Sequence, residues 1–518
     1  MRTELKLSAA LLGLVALTGC LDNPLDVTNP NQITTETFWK TQADAVNATN
    51  GLYAILYSRG MWGRNRYDFW GRSDVIMSRS PAGNIQAALR GVVTDYNYTG
   101  FLSGIWNDPY QGVFRANQVI ARVPKMSLDA TVTSTLVAQA KFIRALMYFH
   151  QTLIFKNIPL ILDEVDANFQ PKFTPQADVY KQVIKDASDA AAVLPWVWTG
   201  ADKGRATKGA ALALAAEANM MLGNWQAAAD MLQQIVDSNQ YHLLPNYVDL
   251  FTIPAGEQSV ESLFEVAFGD QNAYIGGAYG NIWPRLIGPQ TGNCSTCGSL
   301  GFSDQQPTQW AFDLFFQDGS GPYPTNEDPR LDVSIFWNRP GGMDVFGTAF
   351  ATRYAKTGPG GGAGYYDQDL NHTFFFKKYQ EYWLTQLANF ANPINYKIYR
   401  MGQIYIMLAE ARVELGNVAA AKAAVDVVRA RAGVPPMPAG LIQDSARMYV
   451  NREAARELFA EGHTRLAYLL RHNWLTKAYL TPRNPFHASQ FVDGHNDYMP
   501  IPQPEMNLNP NAVQNPGW

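Results

Sequence analysis

Two stretches of this 518-residue chain mix flat aromatic rings with amides and carboxylates. The first is Met61-Trp62-Gly63-Arg64-Asn65-Arg66-Tyr67-Asp68-Phe69-Trp70-Gly71-Arg72-Ser73-Asp74. Its aromatics alternate with Arg, Asn and Asp without helical periodicity. The second lies within residues 252–395 and carries Tyr274, Tyr279, Asn281, Trp283, Trp310, Trp337, Tyr354, Tyr365 and Tyr366. This mixture suits a neutral glycan, whose C–H faces pack on rings and whose hydroxyls need amide or carboxylate partners. Trp62, Trp70, Trp283 and Trp337 are the candidate ligand platforms. The competing role for any one of them is core packing.

Other chemistries find less support. The 7 histidines are scattered and form no HExxH pattern. No Gly-x-Ser-x-Gly elbow or P-loop occurs. A glycosidase needs two carboxylates at a set separation, and no pair is marked here. The expectation is therefore a binding protein, not an enzyme, and no cofactor. Calcium would find hard oxygen ligands at Asn326-Glu327-Asp328 or Asp367-Gln368-Asp369. Neither follows an EF-hand pattern, so solvated loop charge is the preferred reading. Arg429 and Arg431 read as favourable charges at a helix end with local partners.

The 3 cysteines divide into two groups. Cys294 and Cys297 sit in Asn293-Cys294-Ser295-Thr296-Cys297-Gly298, with no second Cys or His pair at metal spacing. After export, a loop-stapling disulfide between them is the favoured reading. Cys20 ends the apolar run from Leu7 to Leu17, which is shorter than the about 20 residues of a membrane-spanning helix. An n-region with Arg2 and Lys6, that short apolar stretch and the small residues Thr18 and Gly19 read as a signal peptide. Leu17-Thr18-Gly19-Cys20 resembles the lipobox of bacterial lipoproteins, in which cleavage leaves the cysteine as the acylated first residue. Several acyl chains anchor far more firmly than one.

Helices must position these groups. Ala216-Glu217-Ala218-Asn219-Met220-Met221-Leu222-Gly223-Asn224-Trp225-Gln226-Ala227-Ala228 repeats as Ala409-Glu410-Ala411-Arg412-Val413-Glu414-Leu415-Gly416-Asn417-Val418-Ala419-Ala420-Ala421. Each copy reads as a helix ending at Leu-Gly-Asn, followed by an Ala-rich helix. Small alanines let the two helices approach closely, as in tetratricopeptide-type hairpins. Glu217 and Glu410 occupy matching positions, which suggests a structural bond in each hairpin. Further helices are expected at 43–57, 137–152 and 179–194. Residues 252–395 are instead dense in Gly, Pro, Asn and aromatics, with a Gly-rich run at 357–364. They read as a long insertion in a helical frame. The net charge of -4 argues against general attraction to nucleic acid.

The order of several motifs resembles the SusD/RagB family of outer-membrane lipoproteins over nearly the whole mature chain. The first is Phe38-Trp39-Lys40-Thr41-Gln42-Ala43-Asp44-Ala45, with Asn50-Gly51-Leu52-Tyr53. Ala140-Lys141-Phe142-Ile143-Arg144-Ala145 follows, with Ile158-Pro159-Leu160. Then come Val179-Tyr180 with Asp186, Gly204-Arg205-Ala206-Thr207-Lys208-Gly209, and Val428-Arg429-Ala430-Arg431-Ala432-Gly433. The terminus is similar too: Met499-Pro500-Ile501-Pro502, Glu505, Asn509-Pro510 and Gln514-Asn515-Pro516-Gly517-Trp518. Departures are Glu461-Gly462-His463-Thr464-Arg465 with one residue inserted, Tyr468 in place of Asp, Asp426 in place of Asn, and Trp518 in place of the commoner Tyr.

The resemblance implies a mainly α, SusD-like fold of tetratricopeptide-like hairpins with a loop-rich insertion. It implies a lipid-anchored protein on the outer face of the outer membrane. Such a protein captures a glycan, or in some members a peptide, and passes it to a SusC-type TonB-dependent transporter barrel. An adaptor without a small ligand is the further alternative. The expected organisation is a lipoprotein signal peptide at 1–19 and a tether at 20–37. The helical scaffold follows at 38–251, the insertion at 252–395, and the second scaffold part with the tail at 396–518.

Overall fold

The computed structural model describes residues 38–63, 70–78, 99–166, 168–268, 281–289, 301–316, 327–355, 370–380 and 393–518, without the side chains of 99–101. The signal peptide, Cys20 and the tether lie outside them. So do Cys294, Cys297, Tyr274, Tyr279, Tyr365, Tyr366, Asn326, the run 357–364 and Asp367-Gln368-Asp369.

Helix α1 (Gln42–Ala54) starts at a capping box. The Thr41 hydroxyl accepts from the Asp44 N–H at 3.2 Å, and the Asp44 carboxylate accepts from the Thr41 N–H at 2.7 Å. Helix α1 passes into a 3-10 turn over Ile55–Tyr57, so the periodic segment 43–57 is only partly α. Then come α2 (Thr99–Arg122), α3 (Ala130–Phe155), α4 (Gln176–Ala191), α5 (Lys208–Met221) and α6 (Trp225–Asp237), each packed on the next from α2 onward. The expected helix at 137–152 is longer at both ends. Asp129 caps α3 by accepting from the Thr131 and Val132 N–H groups, and Lys156 stops it with φ of 65°.

Arg144 organises the centre of α3. It donates twice to Asp186 of α4, at 2.8 Å each, and once to Asn117 of α2 at 2.8 Å. One buried guanidinium thus ties three helices together.

The second set is α7 (Met401–Glu414), α8 (Val418–Ala432), α9 (Gln443–Glu457), α10 (Thr464–Arg471) and the short α11 (Gln503–Leu508). Helices α5/α6 and α7/α8 are the two copies of the sequence repeat. Both turns use glycine in the left-handed region, Gly223 at φ 74° and Gly416 at φ 75°. Helix α6 packs directly on α7, so hairpins far apart in sequence are neighbours in one helical stack. Ala210, Ala211, Ala213, Ala215, Ala216 and Ala218 are wholly buried, which brings the α5 backbone close to its neighbours.

Four strands matter to the insertion: β1 (Ile76–Ser78), β2 (Ser262–Val266), β3 (Gln305–Pro307) and β4 (Tyr396–Arg400). Strands β2 and β4 pair antiparallel, with Tyr396 opposite Val266 and a register irregularity near Tyr399. The stretch between these two strands therefore leaves and re-enters the helical frame at one place. Strands β1 and β3 pair with Met77 opposite Gln306, which ties the insertion to the first aromatic stretch.

Candidate functional site

The four tryptophans expected as ligand platforms are interior residues. Trp62, Trp70, Trp283 and Trp337 are between 0% and 2% exposed. Trp62 packs on Trp70 at 5.5 Å and on His150 at 5.1 Å between ring centroids. Trp70 also stacks on Tyr396 at 6.5 Å. Trp337 meets Phe312 at 5.1 Å and Phe316 at 6.1 Å. Trp283 opens a short helix whose first N–H donates to Asn281 Oδ1 at 2.9 Å. A ring covered on both faces has no surface left for a sugar. The competing role of core packing holds for all four, because an indole removes so much apolar area from water when buried.

The charged residues of the second stretch and of the C-terminal half converge on a closed ionic centre. Arg400, at the end of β4, reaches Glu461 at 2.6 Å, Glu457 at 2.7 Å and Glu261 at 3.0 Å. Arg330 reaches Asp328 and Glu453 at 2.7 Å and Glu457 at 2.9 Å. Arg429 pairs with Glu453 at 2.7 Å; Arg431 pairs with Glu261 at 3.2 Å and also with Glu457. Both close the last turn of α8; Arg429 has a local partner in Pro435 O, but the expectation of purely local partners is corrected, because the carboxylates come from α9 and from Glu261. Burial would raise Glu453, but the charges of Arg330, Arg456 and Arg429 hold it down at about 2. Burial pushes the Lys378 ammonium down to about 8, against the pull of Glu461 at 2.9 Å. The side chains of the arginine–glutamate centre are almost wholly buried, so it fixes the insertion to the frame and offers no entry to a ligand.

The repeat glutamates also bond outside their own hairpins. Glu217 accepts from the Tyr399 hydroxyl at 2.8 Å and meets His463 Nε2 at 3.2 Å. Glu410 takes Arg471 at 2.5 Å and His472 Nε2 at 2.7 Å. Both carboxyls are held below their usual range: burial opposes this, and the facing His463 for Glu217 and Arg471 for Glu410 overcome it. Each repeat position thus serves as a socket for the two ends of α10. The acidic loop at Glu327 and Asp328 is committed likewise, to Arg339 at 2.9 Å and Arg330 at 2.7 Å. Among the described residues no group of three or more His, Cys, Asp or Glu side chains is placed to hold a metal ion.

An open concavity lies elsewhere. A groove of about 890 Å³ runs between α2, the segment 159–171 and α11 with the residues after it. Its floor is the α2 face bearing Trp106, Asn107, Tyr110, Gln111, Phe114 and Gln118, at helical spacing. The walls are pinned by bonds within the protein. Tyr110 donates its hydroxyl to Pro159 O at 3.0 Å. Asn117 donates to Ile161 O at 3.0 Å and Asp163 O at 2.9 Å. Across the groove, Trp106 Nε1 donates to Glu505 at 3.4 Å, and Asn509 donates to both Glu505 and Pro171 O at 2.9 Å. Phe114, Phe169 and Leu508 stay 47%, 49% and 76% exposed. None of these residues stood out by local aromatic density. The available signal was the recurrence of amide and aromatic side chains at 107, 111, 114 and 118, which Gly104, Pro109 and Gly112 obscure as a helix.

The groove lies where the two halves of the chain meet, and comparison with known proteins assigns each half. Residues 24–219 match a family described as starch-binding and associating with the outer membrane. Residues 260–518 match the SusD family. SusD-like protein P25 of Formosa agariphila is 26% identical over 515 residues, covering 92% of each chain. A structure described as a laminarin-binding SusD-like protein superposes with a TM-score of 0.73 at 26% identity, covering 92% of this chain and 100% of that one. A SusD superfamily structure from Bacteroides vulgatus has a TM-score of 0.77 at 23% identity, covering 93% of this chain and 100% of that one. With both halves matched and the helical frame shared, this chain belongs to the SusD family.

Proposed function

We propose that this protein is a cell-surface binding lipoprotein that captures a glycan and passes it to a SusC-type TonB-dependent transporter barrel. The observation that carries the reading is the match, over nearly the full length, to a laminarin-binding relative at 26% identity. A wide groove with aromatic and amide lining is consistent with it. In this reading Cys20 carries the acyl chains and residues 20–37 form the tether to the outer membrane, with the protein facing outward. Among the described residues no helix is long and apolar enough to cross a membrane, and in this reading the lipid provides the attachment. Cys294 and Cys297 form a short-loop disulfide after export. No bond is made or broken in the captured ligand.

Isothermal titration of the full chain against neutral oligosaccharides, anionic oligosaccharides and peptides tests this function. Saturable glycan binding without product supports it. Release of shorter sugars would show a hydrolase instead. Peptide binding alone would favour the peptide-capturing alternative, and no ligand with firm capture of a barrel would favour the adaptor.

A further inference from the structure

We propose that the groove between α2, the 159–171 segment and α11 is itself a binding site for a neutral oligosaccharide. The inference rests on the glycan reading above and names the place and the ligand class. Three independent features of the groove point to it.

The first is unused bonding capacity. The side-chain amides of Asn107, Gln111 and Gln118 make no hydrogen bond among the described residues. Each presents a donor and an acceptor, and a sugar hydroxyl uses both senses. They stand on one face of α2, so a chain of hydroxyl-bearing units lying along the helix meets them in turn.

The second is apolar surface left uncovered in the same place. Phe114 comes from the helix and Phe169 from the facing segment, and each keeps about half its surface in water. Among the described residues neither ring packs on another ring. Single exposed apolar residues are ordinary, but two phenyl rings lining one concavity are a recognised mark of a ligand surface.

The third is charge. Among the described residues lining the groove Arg115 is the one cation, and it donates to Gly51 O at 3.1 Å. It stands against Asp163 and Glu505, and Glu505 is already bonded to Asn509 and Trp106. A uronate or sulfate would meet no free cationic cluster here. The groove is also prepared in advance: Tyr110, Asn117 and Asn509 pin its walls to backbone carbonyls, so little ordering remains to be done on binding. Its volume of about 890 Å³ lies within the about 300–1,000 Å³ of small-ligand sites and leaves room for several sugar units.

The test is titration of the full chain and of Phe114→Ala, Phe169→Ala and Gln111→Ala. The probes are laminarihexaose, other neutral hexasaccharides, an oligogalacturonide and a hexapeptide. Thermal melting checks that the exposed substitutions leave the fold intact. The expected result is neutral-sugar binding by the unmodified chain, weakened about tenfold or more by each phenylalanine change. Gln111→Ala is expected to lower affinity less, and the oligogalacturonide to bind more weakly than neutral sugars. If the unmodified chain binds a neutral sugar and every variant binds it equally, the groove is not the site, while the glycan reading stands. If no sugar binds, the glycan reading falls and this inference with it. Peptide binding that the same variants abolish would make the groove a peptide site and overturn the sugar assignment. Preference for the oligogalacturonide would overturn the neutral class alone.

Discussion

Asp74 and Arg465 face each other as a two-point ion pair although 391 positions separate them. Arg465 Nε donates to Oδ1 at 2.7 Å and Nη2 to Oδ2 at 2.5 Å, with both side chains buried. The pair locks the end of the first aromatic stretch to the start of α10. Asp74→Asn removes the charge and turns an N–H toward the guanidinium, leaving a buried cation without its counter-ion. The expected loss is about 3–5 kcal/mol, read as a lower denaturation midpoint. An unchanged midpoint would show that Asn451, which also accepts from Arg465 at 2.7 Å, suffices alone.

Acid should loosen the insertion from the frame. In the folded chain burial works against ionised Glu453, yet the surrounding arginines hold it at about 2, against 4.5 when free. Glu457 is lowered further, by Arg431, Arg400 and Arg330 working against burial. A depressed carboxyl stabilises the fold above its unfolded value, and that contribution is lost as pH falls toward the folded one. Glu453 alone accounts for about 3 kcal/mol by this linkage. Melting temperature should change little on this account between pH 7 and 5 and drop steeply below pH 4.5. Arg330→Met lets the folded-state value of Glu453 rise toward the free one, so it should lower stability at neutral pH and make the acid drop shallower.

The helical frame was legible in the sequence because its signals are local. The Leu-Gly-Asn turns mark both hairpins, and Gly223 and Gly416 adopt the left-handed geometry that the motif demands. The groove was not legible, because it is assembled from α2, a segment near 165 and a helix near 505. Only the fold brings these together. The tryptophans misled for a physical reason. Alternation of rings with Arg and Asp marks a non-helical segment, but it does not say which side of that segment faces water. In Met61–Asp74 the described rings turn inward, and Arg72 and Asp74 follow them into the interior. Arg72 donates to the carbonyls of Asn496 and Asp497 at 3.0 and 3.1 Å. The carboxylate partners of Arg429 and Arg431 escaped for the same reason, being 24 or more positions away.

Two glycines with similar backbone angles should respond differently to alanine. Gly416 has φ of 75° and open space where a Cβ would stand. Gly462 has φ of 61°, and its Cβ would lie 2.0 Å from the Tyr396 hydroxyl. Gly416→Ala therefore costs only the left-handed backbone, about 1 kcal/mol. Gly462→Ala adds a clash inside the core and should cost about 3 kcal/mol or more. Adding Tyr396→Phe removes the nearest atom and should recover part of the loss. Equal melting temperatures for the two single variants would contradict the packing at Gly462.

Cys20→Ala should release the protein into the soluble fraction if the lipid is its attachment. Affinity for the captured ligand should stay unchanged, because among the described residues the groove is lined by none before Trp106. Fractionation and titration of the same variant check both halves. Membrane retention of the variant in cells lacking the barrel would count against the anchor.

Asn515 links the chain terminus to both the core and the groove. Its Nδ2 donates to Phe155 O at 3.0 Å and to Met499 O at 2.7 Å. Met499 in turn donates its N–H to Ile154 O at 2.9 Å. The end of α3 is thus closed by the tail, and α11, which walls the groove, lies between the two clamped points. Asn515→Ala leaves the buried carbonyls short of a donor and should cost about 1–3 kcal/mol. It should also raise hydrogen exchange at the Met499 amide and weaken ligand binding without touching the groove. Stability loss with unaltered affinity would show that α11 keeps its place through Asn509 and Glu505 alone.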